Sequence, residues 1–505
     1  MTATPADPEA NTSPRGIRGA LARLTSGPLW HHPDFRRLWV GDTASQLGVA
    51  IGGLATPYLA VNILDATSFE MGLLATLTSL GFLLISLPAG AWIDRWRKRH
   101  VMLRVDFGRA LLLATIPAAW WLGILTMAQI FVVATAVGVL TVFFDVSYQA
   151  YLPFLVGREH VVEGNAKLQA SQSVSTTVGP TLGGFLIRLV GPIWVVIINA
   201  IGYLGSAAAL TRIRHHETPK PEQERLPLVT EIREGLSFVV RHPLLVRLIA
   251  CTGISNLFNS VIGALAVLFQ LRYLHFSAST IGLVDSVGAI GGFIGAAITT
   301  RLAKTLGEGP LIIVSALAFQ VAGLAWPLSW LFWPEGVQLV GAAGLGVSVV
   351  VYNISTVSFR QRLCPPRLLG RMNASARFLV WGTMPLGSLL GGVLATGIGV
   401  VPTLWIGGTG GFLSLLPVII SPLWRMRQLP EAAMDEDDGT ATPDATILDA
   451  ATLVAPTFVA AGGELTDAAA IALGPPRVAD PDSDAGAATG TDTDAATDTE
   501  KSPVQ

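Results

Sequence analysis

Long apolar runs separated by short polar clusters organise this chain from residue 36 onward. A helix needs about 20 mostly apolar residues to cross a bilayer. Runs of that kind lie near 36–62, 69–93, 101–124, 127–152, 165–190 and 192–212. The polar stretch RIRHHETPKPEQERLPLVTEIREG interrupts them, and a second set follows near 243–270, 278–303, 309–331, 335–361, 368–396 and 401–424. The pattern predicts an all-α polytopic membrane protein with twelve transmembrane helices in two six-helix halves. The halves are expected over 32–213 and 242–427, joined by a linker over 214–241.

The two halves repeat each other. HPDFRRLWVGDTAS (32–45) and HPLLVRLIACTGIS (242–255) share His, Pro, Arg, Leu and Ser in register, 210 positions apart. Gly72 and Leu73 match Gly282 and Leu283 at the same offset, while GPTLGG (179–184) meets GSLLGG (387–392) and Asn165 meets Asn373 at 208. Two halves repeated in the same orientation form a known transporter architecture.

Charge sets the orientation. Basic residues are enriched in loops on the cytoplasmic side of a membrane protein. DRWRKRH, Arg158, Lys167, Arg214, Lys220, Arg225, Arg233, Arg301, Lys304, Arg360, Arg362, Arg367 and Arg371 fall in loops of one parity. The alternate loops are short and nearly bare, so both termini and the linker are expected in the cytoplasm. Trp326, Trp330 and Trp333 cluster at one outer boundary, as anchors do.

Composition agrees. Only 13% of residues are charged, against about 25% in soluble proteins, and the mean hydropathy is +0.55. The charge is unevenly spread: residues 431–505 hold 16 acidic and 2 basic side chains. That Ala-, Thr- and Asp-rich tail, 428–505, cannot bury enough apolar surface to offset its ordering entropy and is expected to be disordered. Residues 1–31 are expected to be a largely disordered lead-in, in which GIRGALARL could form a short basic helix on the membrane surface. Cys251 and Cys364 are far apart and imply no disulfide framework.

Two motifs carry a resemblance. GAWIDRWRKR (90–99) resembles the signature loop between the second and third helices of major facilitator transporters, with Gly90, Asp94, Arg95 and Arg99 in place and Arg97 where glycine is usual. Gly90 permits close helix contact, and Asp94 can pair with arginine and with a facing helix N-terminus. STTVGPTLGG (175–184) resembles the fifth-helix motif of drug–proton antiporters. Gly179, Pro180, Gly183 and Gly184 match it, and Ser175 stands where glycine is usual. Glycines four apart let helix backbones touch, and Pro180 removes one backbone hydrogen bond. The stretch from His32 to Arg427 is similar to the branch of this superfamily that contains enterobactin exporters and macrolide-efflux proteins. The resemblance implies export by alternating access, driven by a proton gradient and without a bound cofactor. The fourth helix has no arginine, so the arginine motif of many proton antiporters is missing there.

Ionisable side chains inside a span are costly and default to a functional role. Asp42, Asp106, Asp145 and Asp285 qualify. Asp42 is the leading candidate for proton coupling or for binding a cationic substrate; the alternative is a helix-start carboxylate neutralised by Arg36 or Arg37. Asp106 and Arg109 are spaced to satisfy each other. Asp145 is expected to join Asp94, Arg95 and Arg99 in a cytoplasmic latch, and Asp285 is a second coupling candidate. Gln46, Asn256 and Asn259, with Tyr148, Gln149, Tyr352 and Asn353, are polar residues on helices expected to line the cavity.

These readings point to a proton-coupled exporter of a small amphiphilic molecule, such as a drug, macrolide or siderophore, in a bacterial cell membrane. Its expected partners are that molecule and the lipid bilayer, with no nucleic acid. One chain holds both halves and is expected to work as a monomer. A symporter, an importer or a lipid-moving relative is the alternative within the class; a non-transporting receptor or a membrane enzyme is the alternative outside it. No G-x-x-x-x-G-K-[ST] loop is present to support an ATP-driven pump, and the eight histidines fall mostly in loops.

Overall fold

Helix starts are written into this sequence as capping residues, and the computed structural model shows where they act. It describes residues 28–214, 228–364 and 368–426, apart from a few side chains that include Asp94 and Arg95. The first half consists of α1 (Pro33–Gly52) continued by α2 (Ala55–Asn62), then α3 (Ser68–Arg95), α4 (Lys98–Trp121), α5 (Met127–Val156), α6 (Val161–Val190) and α7 (Pro192–Thr211). A linker helix, α8 (Leu228–Arg241), follows. The second half holds α9 (Pro243–Arg272), α10 (Ala278–Leu306), α11 (Glu308–Gly323) with α12 (Ala325–Leu328), and α13 (Pro334–Leu363). It closes with α14 (Leu369–Trp381), α15 (Thr383–Ile398), α16 (Val400–Gly410) and α17 (Leu416–Ile419).

The sequence repeat is also a repeat of turns. His32 and His242 each cap the first helix of a half and are each followed by proline at the first helical position. Nδ1 of His32 accepts the Phe35 amide at 3.1 Å; Nδ1 of His242 accepts those of Leu244 and Leu245 at 3.3 and 3.4 Å. Asp65 and His275 both adopt φ of 55°, and the amides that follow them, of Ala66 and Phe276, reach back to the carbonyls of Ala60 and Gln270. Thr67 and Ser277 then cap α3 and α10, Thr67 forming a reciprocal capping box with Glu70. Gly191 and Gly399 supply left-handed turns at φ of 89° and 92°.

Burial holds the His242 imidazole below its ordinary value of 6.5. A proton there would occupy the nitrogen that accepts the cap bonds. Because the folded value lies below the unfolded one, the cap's full contribution is present above the unfolded value and is lost as pH falls through the folded one. His242→Ala is expected to cost about 1 kcal/mol near neutral pH. His242→Asn should restore most of that loss and flatten the fall in thermal stability between about pH 7.5 and about pH 5. Melting curves in detergent check both.

Among the described residues, ten helical segments are long and apolar enough to cross a membrane. The two remaining expected spans, α4 and α6, have 24 and 30 residues. They fall short on composition: α4 carries Arg104, Asp106 and Arg109, and α6 is rich in Ser, Thr and Gly. The outer surface leaves Val132, Leu189, Val340 and Ile420 exposed, the apolar covering that lipid rather than water would contact.

Three details differ from the pattern read along the chain. Residues 28–31, expected within a disordered lead-in, form a 3-10 turn whose Leu29 packs with Phe35. The linker contains α8, whose Val239 is buried and whose Glu234 pairs with Arg371 of α14. The twelfth span ends its helix at Ile419 rather than near 424 and passes through a 3-10 turn at Gly411–Leu415. Residues 1–27, most of the linker's polar stretch and the acidic tail lie outside the described residues.

The packing is duplicated as well. In the first half α1 packs on α6 and α7, α3 on α5, and α4 on α5 and α7. In the second, α9 packs on α15 and α16, α10 on α13, and α11 on α13. Across the halves α6 meets α10, and α3 meets α15.

Candidate functional site

We call the end of the bundle where α1 starts proximal and the opposite end distal. At 1.5 Å per residue, Asp42, Asp106 and Asp145 lie about 12–16 Å in from the proximal ends of α1, α4 and α5. That common depth brings them together. Asp42 is buried and lies within electrostatic reach of Asp106, Asp145 and Arg109, with Gln46, one turn along, as its side-chain hydrogen-bond partner. Arg37, one of the two arginines that could have neutralised Asp42, pairs with Asp34 at 2.6 Å.

Arg109 is the centre of this cluster. It forms a buried ion pair with Asp106 of its own helix and bonds Thr141 Oγ1 of α5 at 3.4 Å. Its guanidinium carbon stands 4.5 Å from the ring centre of Phe144 and 4.2 Å from that of Tyr203. Such aromatic faces stabilise a cation more when it is desolvated. The fourth span has no arginine of its own, yet an arginine from the third lies against it. Asp106 Oδ2 and Arg109 Nε have no hydrogen-bond partner among the described residues, so the pair is not saturated. Tyr148, stacked on Phe144 at 6.0 Å, lies within electrostatic reach of both Asp42 and Asp145.

One charge reaches the cluster from the other half. Asp145 interacts electrostatically with Arg377 of α14 as well as with Arg109. Arg377 in turn packs over Trp381. Sequence reasoning did not pick out Tyr203 or Arg377; a cation two turns inside an apolar run was the signal available for Arg377.

The Gly-Pro motif of α6 lies near the distal end and serves two neighbours. Gly179 and Gly183 face Ala50 and Ile51 of α1 within the first half, so a side chain at either would meet the α1 backbone. Gly184 and Pro180 face the second half, against Ala278 and Gly282 of α10. Thr181 seals the same contact. Its hydroxyl donates to the Gly282 carbonyl at 3.2 Å and lies 2.7 Å from Ser286 Oγ, which also accepts the Thr181 amide at 3.2 Å. Two further distal contacts cross between the halves. Thr76 Oγ1 donates to the Pro385 carbonyl at 3.2 Å. Arg272 pairs with Asp65 at 2.7 Å and bonds the Val61 carbonyl at 3.2 Å.

The other candidates are more dispersed. Asp285 is half-buried on α10 and makes no hydrogen bond or ion pair among the described residues. Spacing along the helix puts it opposite the exposed Leu283 and Ile290. Asn256 donates to the Val380 carbonyl at 3.3 Å, near the break between α14 and α15; Asn259 is half-buried one turn away. Tyr352 bonds Thr252 at 2.8 Å. Arg99 donates to the carbonyls of Leu210 and Thr211, both at 2.8 Å, and so caps the C-terminus of α7. The side chains of Asp94 and Arg95, and the surroundings of Gly90, lie outside the described set, so the latch expected there has no geometry. Among the described residues no group of three or more His, Cys, Asp or Glu could hold a metal ion.

Comparison with known proteins follows the same lines. Residues 38–384 match the Major Facilitator Superfamily. The enterobactin exporter EntS of Citrobacter koseri is 25% identical over 418 residues, covering 79% of this chain and 94% of its own. EntS of Escherichia coli O127:H6 is 25% identical over 423 residues, covering 80% and 96%. Among solved structures, a bacterial homologue of the iron transporter ferroportin in its inward-facing state superposes with a TM-score of 0.61 at 16% identity, covering 78% of this chain and 99% of that one. A variant of the nucleoside transporter NupG gives 0.60 at 13%, covering 76% and 99%.

Proposed function

The chain belongs to the major facilitator superfamily, and from that premise we propose that it is a proton-coupled exporter of a small amphiphilic molecule. The observation that carries the coupling is the placement of Asp42. Asp106, Asp145 and Arg109 lie within its electrostatic reach, yet Arg109 is paired with Asp106. Asp42 and Asp106 are buried, Asp145 is half-buried, and Arg109 with Arg377 of the other half are the two cations that reach the group, so not all three carboxylates remain charged cheaply. Asp42, whose direct partner is the neutral Gln46, is therefore the group on which a proton is most easily gained and lost.

Asp145 links that event to movement. While ionised it attracts Arg377 across the boundary between the halves. A proton moving from Asp42 to Asp145, or a neutral Asp42 that redistributes charge in the cluster, weakens that attraction and frees the proximal ends to separate. Asp285, without an ion pair among the described residues, can take a basic group of the substrate. An amphiphilic cargo suits a few convergent charges set among apolar spans. Export is favoured by the α6 motif at the distal contact and by the exporters among the relatives. The protein works in the bacterial cytoplasmic membrane with both termini in the cytoplasm, as its basic loops favour.

The test is drug and siderophore susceptibility of an efflux-deficient bacterium expressing the chain beside Asp42→Asn. Intracellular accumulation is followed before and after a protonophore. Protection that collapses both with the protonophore and with Asp42→Asn is expected. Protection by Asp42→Asn equal to that of the unaltered protein moves the coupling site to Asp285. Proton uptake in the same direction as the substrate identifies a symporter instead.

A further inference from the structure

A groove lies apart from the buried charge cluster. About 690 Å³ in volume, it opens at the proximal end between the close of α3, the start of α4 and the middle of α5. Its lining divides sharply by chemistry. Arg97, His100 and Arg104 form one rim, while Val101, Val105, Leu140 and Phe143 form the floor, with Trp96 at the mouth. All three basic side chains are exposed, and none makes a hydrogen bond or ion pair among the described residues. The first turn of α4 contains no acidic residue, so its free amide groups add positive potential there.

The apolar part continues away from the rim. Trp92 and Trp96 stack on Phe143 at 6.1 and 6.2 Å, making an aromatic wall. Phe107 and Leu111 stay exposed along the same face of α4 as His100 and Arg104, one and two turns deeper. Arginines at the loop, tryptophans beside them and exposed apolar side chains one and two turns further along α4 match one ligand shape. We infer that this groove binds an anionic phospholipid, its phosphate held by Arg97, His100 and Arg104 and an acyl chain laid along Phe143, Phe107 and Leu111. A soluble anion would use the rim but leave the furrow unfilled. A zwitterionic lipid would fill the furrow but bring an ammonium group toward three bases.

Position gives the lipid leverage. The groove is bounded by the loop joining α3 to α4, and α3 also packs against α15 of the other half. A lipid wedged there braces that loop against α5 and favours one disposition of α3. The site does not depend on the substrate or on the coupling ion.

Native mass spectrometry of the detergent-purified full chain tests this. The unaltered protein is titrated with phosphatidylglycerol, with phosphatidylcholine of the same acyl chains, and with phosphatidylglycerol plus excess glycerol phosphate. Retention of phosphatidylglycerol at least tenfold above phosphatidylcholine, unaffected by glycerol phosphate, is expected. Arg97→Gln/Arg104→Gln should weaken that retention by about thirtyfold, on the scale of two basic residues at an anionic membrane surface, while Arg301→Gln/Lys304→Gln should not. Equal retention of the two lipids, or displacement by glycerol phosphate, overturns the inference. So does undiminished binding to the Arg97/Arg104 variant. The headgroup comparison uses the unaltered chain, so it decides the matter even if a variant does not fold.

Discussion

Gly282→Val is expected to abolish transport while leaving a folded, membrane-inserted protein. A Cβ at position 282 would land on the Pro180 carbonyl of α6, 2.8 Å from the carbonyl carbon and 3.2 Å from the Thr181 Cα. These are backbone atoms, so no rotamer change relieves the clash, and the two helices must move apart. Overpacking of this kind costs about 1–3 kcal/mol. Here the strain falls on a contact between halves, so it acts on the conformational equilibrium. A bias of that size would shift a balance between two access states by about fivefold to about 150-fold. The distal end should stay open, read as faster maleimide labelling of Ser279→Cys in a background without Cys251 and Cys364. Gly323→Val is the control, since a Cβ there meets nothing within 4 Å. Equal transport by the two valine variants would sink the idea.

Arg109→Leu should be the most destabilising single change in the first half. It leaves Asp106 buried without its ion-pair partner, a loss of about 3–5 kcal/mol. It also empties the space between Phe144 and Tyr203. Adding Asp106→Asn should return much of the stability, because removing both charges spares the cost of an orphaned one. The double variant separates two roles for the pair. If Asp106 and Arg109 only satisfy each other, the restored protein transports. If Arg109 sets the charge balance for Asp42 and Asp145, the restored protein is stable and inactive, and that is the expected outcome. Detergent melting and substrate efflux measured on the same preparations distinguish the two.

The architecture was legible because each relevant signal is local. Apolar runs give the spans, and the repeat of HPDFRRLW in HPLLVRLI marks the start of each half. Span composition was a weaker guide for α4, whose charges are the ones that make the site. The Asp106–Arg109 pair could be read from a spacing of three. The convergence of Asp42, Asp145, Tyr148 and Tyr203 on it could not, because it depends on the rotation of four helices about their axes. Arg377 was hidden for the same reason, since its meeting with Asp145 needs the relative placement of two halves. In STTVGPTLGG the glycines were legible as packing positions, but only the geometry shows Gly179 and Gly183 turned toward α1 and Gly184 toward α10.

The duplicated turns at Asp65 and His275 are alike in backbone and unlike in chemistry. Arg272 ends the span before the second turn and reaches back to Asp65 across the halves, whereas its counterpart at 210 positions earlier is Asn62, which has no charge to offer His275. Thr76 and Thr181 tie the halves on both sides of the pseudo-symmetry axis, but among the described residues the charged fastener of the distal end stands on one side. Asp65 is 95% exposed, and an exposed pair of this kind is worth about 0–1 kcal/mol. A fastener that weak lengthens the dwell time of the closed distal end by at most about fivefold. Separation of the distal end would break a charged pair on one side of the axis and, among the described residues, none on the other.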